Sequence, residues 1–467
     1  MPIADASRQI LSVEQMRAAE QALIDADETV DSLMQVAGRG AAEWVWRMAG
    51  GRPVTVLCGP GNNGGDGYVI AETLRARGLP VSVVALCDPG TDAARNARAL
   101  YQGNVLPSDA RPHGAIMVDC LFGSGLVRPL DPETHALLCE VAASHPQRIA
   151  IDVPSGIDAD TARPLNPDLP AYDLTVALGA WKFAHWLMPA MEKAGVCRRV
   201  SIGISPVEAA AKLITRPRLS VPAHDAHKYR RGLLAVVAGQ MPGASRLAAQ
   251  SAARGGAGYV KVLADGRVMA DADIVLDTQP LDLALDDPRI SAALVGPGLG
   301  RSADARARLR TALKRDCPTV LDADALVLLR PDMLEGRTAP VIATPHEGEL
   351  ERLGETFGVD QAAKLDLARA LAEATGMTII AKGPDTLVAA PDGRVAIAPP
   401  APSWLSTAGT GDVLAGLVAS RLATGAECLD AARTALWLHG DAARIAGPAF
   451  TASDLAGHVS RAYADCL

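Results

Sequence analysis

The sequence has few aromatic side chains, few lysines and no clustered cysteines. Phe, Trp and Tyr make up 3% of its 467 residues, so the hydrophobic cores must be built mainly from Ala, Val, Leu and Ile. Aromatic platforms for stacking single-stranded nucleic acid are therefore not expected. The eight cysteines stand singly, without a CxxC pair or a histidine partner at zinc-site spacing, and we expect them to be reduced.

An excess of positive charge and long hydrophobic runs are also missing. A net charge of −8 gives no general field for attracting nucleic acid or an anionic membrane. No stretch reaches the ~18 apolar residues of a membrane span, and the first residues lack a basic segment followed by an apolar run. We expect a soluble, cytoplasmic protein without nucleic-acid or membrane partners; a homo-oligomer stays open.

What the sequence does contain points to folded α/β domains. Hydrophobic residues make up 49% of the chain and charged residues 21%, which excludes disorder as the main state. Short runs rich in β-branched residues recur along both halves, mostly separated by amphipathic segments. Strands that are apolar on both faces and separated by helices predict a parallel sheet covered on both sides. The fold class is therefore α/β, in two domains.

Particular segments define these elements. Ser12 to Gln15 resembles a capping box, so we predict that residues 13–24 form the first helix. The last strand of the first half is predicted at 200–204. A stretch with three prolines and little periodicity follows, which places the domain boundary near 215–222 and the domains at 1–215 and 222–467.

A glycine-rich loop, GPGNNGGDG at 59–67, joins a predicted strand to a helix in the first half. Backbone N–H groups in such a loop can hold phosphate, although a simple tight turn explains the glycines equally well. Asp119 and Asp152 each follow another predicted strand and precede a glycine-containing loop. Because the carboxyl ends of parallel strands form one crevice, three such loops favour a ligand site; taken singly, each Asp is better explained as a strand-end cap.

These motifs, from 33–38 through GNNGGDG, GSGLVRP and DVPSGID to 200–204, resemble the NAD(P)H-hydrate epimerase domain of metabolite-repair proteins. The resemblance implies a potassium-dependent, Rossmann-like three-layer sandwich that interconverts the R and S epimers of hydrated NADH and NADPH. It also implies that Asp152 is the catalytic acid or base beside the nicotinamide ring, and that Asn63, Asp119 and Ser155 bind potassium. The hydrated cofactor would be bound by two loops: Asn62, Asn63, Gly64, Gly65, Asp66, and Gly123, Ser124, Gly125, Leu126, Val127, Arg128, Pro129.

The most informative segment of the second half is TAGTGDVLAGL at 407–417, where a glycine-rich turn opens a long predicted helix. N–H groups at such a helix start can stabilise a transferred phosphoryl group, and Asp412 can take a proton from an attacking hydroxyl. An ordinary N-capped helix is the simpler alternative for this turn alone. Further candidates follow other strands: Asp322, Asp324 and Glu349 as magnesium or water ligands, and Lys382 as a phosphate-binding charge.

Together, GPGLG, LDADAL, TPHEGELERL, AKGPDT and GTGD resemble the ADP-dependent NAD(P)H-hydrate dehydratase, a ribokinase-like α/β domain. The resemblance implies that ADP, with magnesium, phosphorylates the C6 hydroxyl of the S hydrate, which is then eliminated to restore NADH or NADPH. Asp412 would be the base. The implied hydrate contacts are Ala244, Gly298, His346 and Asp412, and the implied nucleotide contacts are Lys382, Gly383, Pro384, Asp385, Thr386 and Gly411.

One departure from the family pattern affects the glycine turn. Ala408 stands where the family has its first glycine, and because a Cβ tolerates positive φ poorly, the geometry of this loop and its affinity for the nucleotide stay open. Two other functions stay open at this point. One is a ribokinase-group small-molecule kinase with an N-terminal regulatory domain, and the other gives the first half a non-catalytic ligand-binding or scaffold role.

Overall fold

The computed structural model describes residues 6–266 and 271–467. The chain divides into two compact units, unit 1 up to Lys212 and unit 2 from Leu213 onward. The boundary expected from the proline-containing stretch, 215–222, lies a few residues beyond this division. No helix in the described part of the chain is long and apolar enough to cross a membrane.

Unit 1 alternates strands with helices. Its elements are β1 (Gln9–Ile10), α1 (Val13–Ile24), α2 (Val30–Ala49), β2 (Val54–Cys58), α3 (Asn62–Ala76), β3 (Val81–Ala85), α4 (Asp92–Leu100), β4 (Asn104–Leu106), β5 (Ile116–Cys120), α5 (Pro132–Ala143), β6 (Gln147–Ile151), β7 (Leu174–Leu178), α6 (Met191–Ala194), β8 (Val196–Val200) and β9 (Ala211–Leu213). The predicted capping box is present, because Ser12 Oγ accepts from the Gln15 N–H while the Gln15 side chain accepts from the Ser12 N–H.

The sheet of unit 1 is parallel and runs in the order β4-β3-β2-β5-β6-β7-β8. Every residue of the central strands β2 and β5 is buried, as expected for a sheet covered on both faces. The chain reverses its direction of travel across the sheet between β2 and β5. Ligands bind in the crevice outside the strand ends at such a switch point.

Unit 2 has the same alternation. Its elements are β10 (Leu233–Val237), α7 (Pro242–Arg254), β11 (Tyr259–Leu263), β12 (Val275–Asp277), α8 (Leu281–Leu285), β13 (Ile290–Val295), α9 (Ala303–Lys314), β14 (Thr319–Leu321), α10 (Asp324–Leu328), β15 (Val341–Ala343), α11 (Glu347–Phe357), α12 (Lys364–Thr375), β16 (Thr378–Ala381), β17 (Leu387–Ala389), β18 (Val395–Ile397), α13 (Thr410–Ala423), α14 (Cys428–Ala446) and α15 (Ala452–Ala464).

The sheet of unit 2 runs in the order β18-β17-β16-β15-β14-β13-β10-β11-β12. Strands β16, β17 and β18 pair antiparallel and the others pair parallel, with the switch point between β10 and β13. Helix α13 is almost wholly buried, and Ser251 of α7 donates to its Val413 carbonyl at 2.5 Å. The predicted α/β fold class is thus confirmed in both units.

One strand prediction is wrong. The strand predicted at 200–204 lies earlier, at Val196–Val200, where an exposed edge strand carries Arg198 and Arg199. Those two charged residues hid it, because an edge strand is exposed along part of its length. The apolar run that follows leaves the sheet, yet its Ile202 and Ile204 are buried in the core of unit 1.

Candidate active sites

A cavity of about 660 Å³ opens at the carboxyl ends of the strands around the switch point of unit 1. Most of the predicted hydrate-binding residues line it: Asn62, Asn63, Asp66, Gly123, Ser124, Gly125, Leu126, Val127, Arg128 and Asp152. Gly64 and Gly65 instead pack behind the wall, where an added Cβ would meet the Gly59 carbonyl oxygen or the Met34 side chain. Sequence reasoning missed the contribution of α1, which supplies Arg17 and Glu20 to the wall.

Asp152 follows β6 directly and holds its backbone in the left-handed region, with φ of 67°. Its Oδ1 lies 2.5 Å from Lys182 Nζ, and its Oδ2 accepts from the Ser124 N–H at 2.9 Å. Burial alone would raise the pKa of Asp152, but the charge and hydrogen bond of Lys182 outweigh it and the pKa is lowered. The carboxylate is therefore held ionised inside the cavity.

The partner of Asp152 is itself held in place by β7 and the turn after it. Lys182 is 1% exposed, and its Nζ also donates to the Leu178 carbonyl at 2.6 Å. His185 accepts the Lys182 backbone N–H at Nδ1 and donates from Nε2 to the Asp152 carbonyl at 2.7 Å. Burial, together with the nearby Lys182 charge, lowers the pKa of His185 to about 4, so the ring stays neutral at physiological pH.

Of the predicted cation ligands, Asn63 lines the cavity, whereas Asp119 and Ser155 are buried and do not line it. The Asp119 carboxylate accepts from the Ser155 hydroxyl at 2.7 Å, from the N–H groups of Ser155 and Leu121, and from the Tyr172 hydroxyl at 2.5 Å. Burial raises the pKa of Asp119 despite these bonds. The amide of Asn63 is different, because both its oxygen and its nitrogen are buried without a hydrogen-bond partner in the described chain. A buried orphan of this kind indicates an ion or water in the site.

In unit 2 the glycine turn after β13 lies against neighbouring backbone. A Cβ at Gly296 would lie 1.8 Å from the Asp322 carbonyl oxygen, and one at Gly298 would lie 2.1 Å from that of Met241. Gly298 has φ of 65°, and its carbonyl accepts the Met241 N–H. Ala244 approaches the same glycine, so two of the four predicted hydrate contacts are brought together.

We expect Gly298→Ala to destabilise unit 2 more than Gly336→Ala does. Both glycines are left-handed, with φ of 65° and 69°, but an added Cβ at Gly336 meets nothing within 4 Å. The left-handed conformation alone costs about 1–2 kcal/mol in each variant. The clash at Gly298 should add roughly 1–3 kcal/mol of overpacking. Urea unfolding measures the difference in the free energy of unfolding between the two variants. Equal losses would mean that the backbone around Gly298 shifts to accommodate the Cβ without further cost.

Asp412 is the third residue of α13, whose first turn has no side-chain cap. Near it Lys382, which follows β16, donates from Nζ to Asp322 Oδ1 at 2.8 Å, and the same oxygen accepts from the Thr344 hydroxyl. Burial and the charge of Asp322 raise the pKa of Asp412 to about 6, with Lys382 opposing. Asp322, a candidate magnesium ligand by sequence, is thus an ion-pair partner in the structure.

The glycine turn before α13 is not distorted by Ala408. Ala408 is absent from the described residues with positive φ, and the left-handed position is Gly409, with φ of 90°. The residue that needs to be glycine in this turn is thus still glycine. A Cβ at Gly409 would also crowd Leu247 and Ala452.

The predicted nucleotide loop, 382–386, closes on itself. Thr386 donates to the Gly383 carbonyl at 2.7 Å and accepts the Gly383 N–H. Lys364, at the start of α12, donates to the Asp385 carboxylate at 2.5 Å. Asp385 is thereby turned toward α12 rather than presented to a ligand, a contact that the sequence did not reveal.

His346 and Glu349 form the capping box of α11. The Glu349 carboxylate accepts the His346 N–H at 2.9 Å, and its other oxygen lies 3.4 Å from His346 Nε2. Both carboxylate oxygens of Glu349 are thus committed to His346, while the His346 ring is largely exposed. Asp324 likewise binds the Gly300 N–H and the Arg301 side chain.

Two family models match the chain. One, described as NAD(P)H-hydrate dehydratase, matches residues 234–464, and the other, described as YjeF-related protein N-terminus, matches residues 30–184. A solved structure of an ADP/ATP-dependent NAD(P)H-hydrate dehydratase from Bacillus subtilis, co-crystallised with ATP and Mg²⁺, is 26% identical. It covers 54% of this chain and 95% of its own, with a TM-score of 0.46.

Three curated relatives extend over both units, and each is named a bifunctional NAD(P)H-hydrate repair enzyme. That of Mycobacterium tuberculosis (strain ATCC 25618 / H37Rv) is 34% identical over 90% of both chains. That of Mycobacterium leprae is 32% identical over 98% of this chain and 99% of its own, and that of Salinibacter ruber is 33% identical over 93% and 92%. The chain therefore belongs to the family of bifunctional NAD(P)H-hydrate repair enzymes.

Proposed function

We propose that residues 1–215 interconvert the R and S epimers of hydrated NADH and NADPH, and that residues 222–467 dehydrate the S epimer with ADP. The observation that carries this division is that each unit places a carboxylate near a lysine at the carboxyl edge of its own sheet, Asp152 being buried and Asp412 half-buried. The alternative of a small-molecule kinase with a non-catalytic first domain is set aside, because the relatives that match both units are repair enzymes.

For the epimerase, we assign Asp152 as the base that takes the C6 hydroxyl proton. Its ionised state, held by Lys182 and the Ser124 N–H, suits that role. The loops at 62–66 and 123–129 would bind the hydrated cofactor. Nothing in this assignment requires a consumed co-substrate, since epimerisation leaves the composition of the hydrate unchanged.

Among the predicted potassium ligands Asn63, Asp119 and Ser155, Asn63 has the side chain that best fits this role. The buried Asn63 amide oxygen lacks a partner and would be a neutral oxygen ligand for a monovalent cation. Asp119 already accepts four hydrogen bonds, so it would contribute mainly charge and hold Ser155 in place. A bound potassium ion would supply positive charge to the floor of the cavity.

For the dehydratase, we assign Asp412 as the base that removes the C6 hydroxyl proton while that oxygen attacks the terminal phosphorus of ADP. The uncapped N–H groups at the start of α13 and the Lys382 ammonium would stabilise the transferred phosphoryl group. Loss of a C5 proton then expels phosphate from C6 and forms the C5–C6 double bond. The products are NADH or NADPH, AMP and phosphate, so the atoms balance.

The nucleotide would lie over the loop 382–386 and Gly411. A Cβ at Gly411 would come within 3.7 Å of Lys382 Nζ, so the two predicted contacts are adjacent. Magnesium would arrive on the ADP phosphates, as is usual for this ion, because Glu349 is committed to His346.

The test of both activities uses purified protein, mixed NADH-hydrate epimers and ADP, with NADH recovery followed by absorbance. Conversion of both epimers, faster than their spontaneous interconversion, is expected. Recovery of the S epimer alone would overturn the epimerase assignment. No ADP-dependent recovery at all would overturn the dehydratase.

We expect the dehydration rate to rise with pH through about 6, since only ionised Asp412 can accept a proton. Between pH 5 and 7 the ionised fraction, and with it the rate, should rise about tenfold for a pKa of about 6. Asp322→Asn removes the negative charge that raises the pKa of Asp412 and frees Lys382 from its ion pair. The rise of the dehydration rate should therefore occur at lower pH. Rates are measured with the S epimer at saturating ADP.

The matched control is Asp304→Asn, which removes an exposed carboxylate from the first turn of α9. This variant should show the same pH dependence of the dehydration rate as the wild type. If the rate of Asp322→Asn rises at the same pH as that of the wild type, or at a higher pH, Asp322 and Asp412 are not coupled.

A further inference from the structure

A further carboxyl group, that of Asp66, faces the unit 1 cavity. Asp66 lies on α3, lines the cavity and is 7% exposed. Its side chain makes no hydrogen bond or ion pair with any residue among 6–266 and 271–467. A buried carboxyl group normally finds such a partner, so an unpaired one facing a cavity points to a ligand.

The contrast with Asp152 is chemical. Asp152 carries three hydrogen bonds on its two oxygens, from Lys182, Ser124 and Leu178, all of which favour the anion. Asp66 has none of these bonds, and it is the fifth residue of α3, beyond the first turn where a helix start stabilises negative charge. The two carboxyl groups therefore share a cavity but differ in every stabilising contact.

Charges of both signs face Asp66, and burial together with the negative ones favours its protonated form. Glu20 and Arg17 project into the cavity from α1, and Asp152 and Lys182 from the ends of β6 and β7. Burial raises the pKa of Asp66 well above its ordinary value, the negative charges of Asp152 and Glu20 raise it further, and Lys182 opposes them. Two carboxyl groups whose pKa values are pushed apart in one cavity are typical of an acid and base pair.

We propose that Asp66 is the general acid of the epimerase site, donating the proton that complements the one taken by Asp152. This inference rests on the proposed epimerase activity and adds a second catalytic residue to it. The substrate carbon, C6, bears a hydroxyl group and is bonded to the ring nitrogen N1. Its inversion needs one proton removed and one supplied, whichever bond opens.

The balanced step opens the ring. Asp152 takes the C6 hydroxyl proton as the C6–O bond becomes a carbonyl, and the C6–N1 bond breaks with its electron pair going to N1. Asp66 then protonates N1, which is stabilised by conjugation with the carboxamide. Rotation about C5–C6 presents the other carbonyl face, N1 attacks it and returns its proton to Asp66, and the oxygen regains its proton from Asp152.

The decisive variant is Asp66→Asn, which keeps the size and a hydrogen-bond donor but cannot transfer the proton. We expect kcat for R-to-S epimerisation to fall by about 100-fold or more, with KM for the R hydrate within about threefold of wild type. The wild-type rate should also decline at high pH as Asp66 loses its proton, and this alkaline limb should vanish in Asp66→Asn. Asp66→Glu should keep the limb at a reduced rate.

Controls separate this outcome from misfolding. Asp109→Asn removes an exposed carboxylate from a loop of unit 1 and should match wild type. ADP-dependent dehydration of the S hydrate reports on unit 2, and tryptophan fluorescence reports mainly on unit 1, which holds four of the six tryptophans. Both should be unchanged in Asp66→Asn.

Three results would overturn the proposal: near-wild-type kcat in Asp66→Asn, an alkaline limb that persists in that variant, or a loss confined to KM. Absence of epimerisation in the wild-type protein would instead refute the epimerase activity itself, so the two failures are distinguishable.

Discussion

Replacing Asp412 with Asn should abolish ADP-dependent dehydration, with a fall in kcat of at least about 10³-fold. The amide keeps the shape of the side chain at the start of α13 but cannot accept the C6 hydroxyl proton. Ground-state contacts are retained, so ADP should bind about as tightly as before. The measurement is NADH recovery from the pure S epimer, with ADP affinity determined separately by calorimetry.

Asp430→Asn is a close control for this variant. Asp430 is also the third residue of its helix, α14, and is exposed beside Arg433. The substitution removes a carboxylate at the same helical position without touching the site, so dehydration should be unaffected. Retention of more than a tenth of wild-type activity in Asp412→Asn would show that another group takes the proton.

The second large effect is expected in unit 1, where Asp152→Asn should stop catalysed epimerisation and spare dehydration. Asn cannot act as the base, and it removes the anion that pairs with the buried Lys182 ammonium. Repair of the S epimer should continue at the wild-type rate. Repair of the R epimer should slow to the rate of spontaneous epimerisation, which is measured by adding ADP to the pure R epimer.

Asp158→Asn offers a comparison a few residues further along the same loop. Asp158 accepts N–H groups of its own turn, at Asp160 and Thr161, and does not line the cavity. Both activities should survive its replacement. Equal loss of R and S repair in Asp152→Asn would contradict the separation of the two activities between the units.

Local patterns in the sequence predicted much of the fold. The first helix was predicted at its true bounds because Ser12 and Gln15 form a capping box within four residues. The parallel sheets were predicted from apolar runs, and strands such as Leu174–Leu178 are indeed buried along their whole length. Strand β8 was misplaced because an edge strand with two arginines lacks that signal, and strand order depends on contacts that no local pattern encodes.

The site residues were likewise predicted in part from local sequence patterns and in part missed. The sequence located Asp152, Asp412 and the glycine turns because each follows a strand, where a parallel sheet gathers its ligands. It missed the partners that set their charge, such as Lys182 for Asp152, since those residues are 30 or more positions away. Lys382 was predicted as a phosphate-binding charge, but only the fold shows that it meets Asp322.

The left-handed backbone at Asp152 restricts what this position can become during evolution. Asp and Asn are among the residues other than glycine that adopt this conformation most readily, so the backbone disfavours Glu there even though Glu would keep the charge. Lineages that lose the epimerase activity could therefore drift to Asn or Gly without harm to the turn. An Asp found there in a distant homologue reports that its chemistry is still under selection.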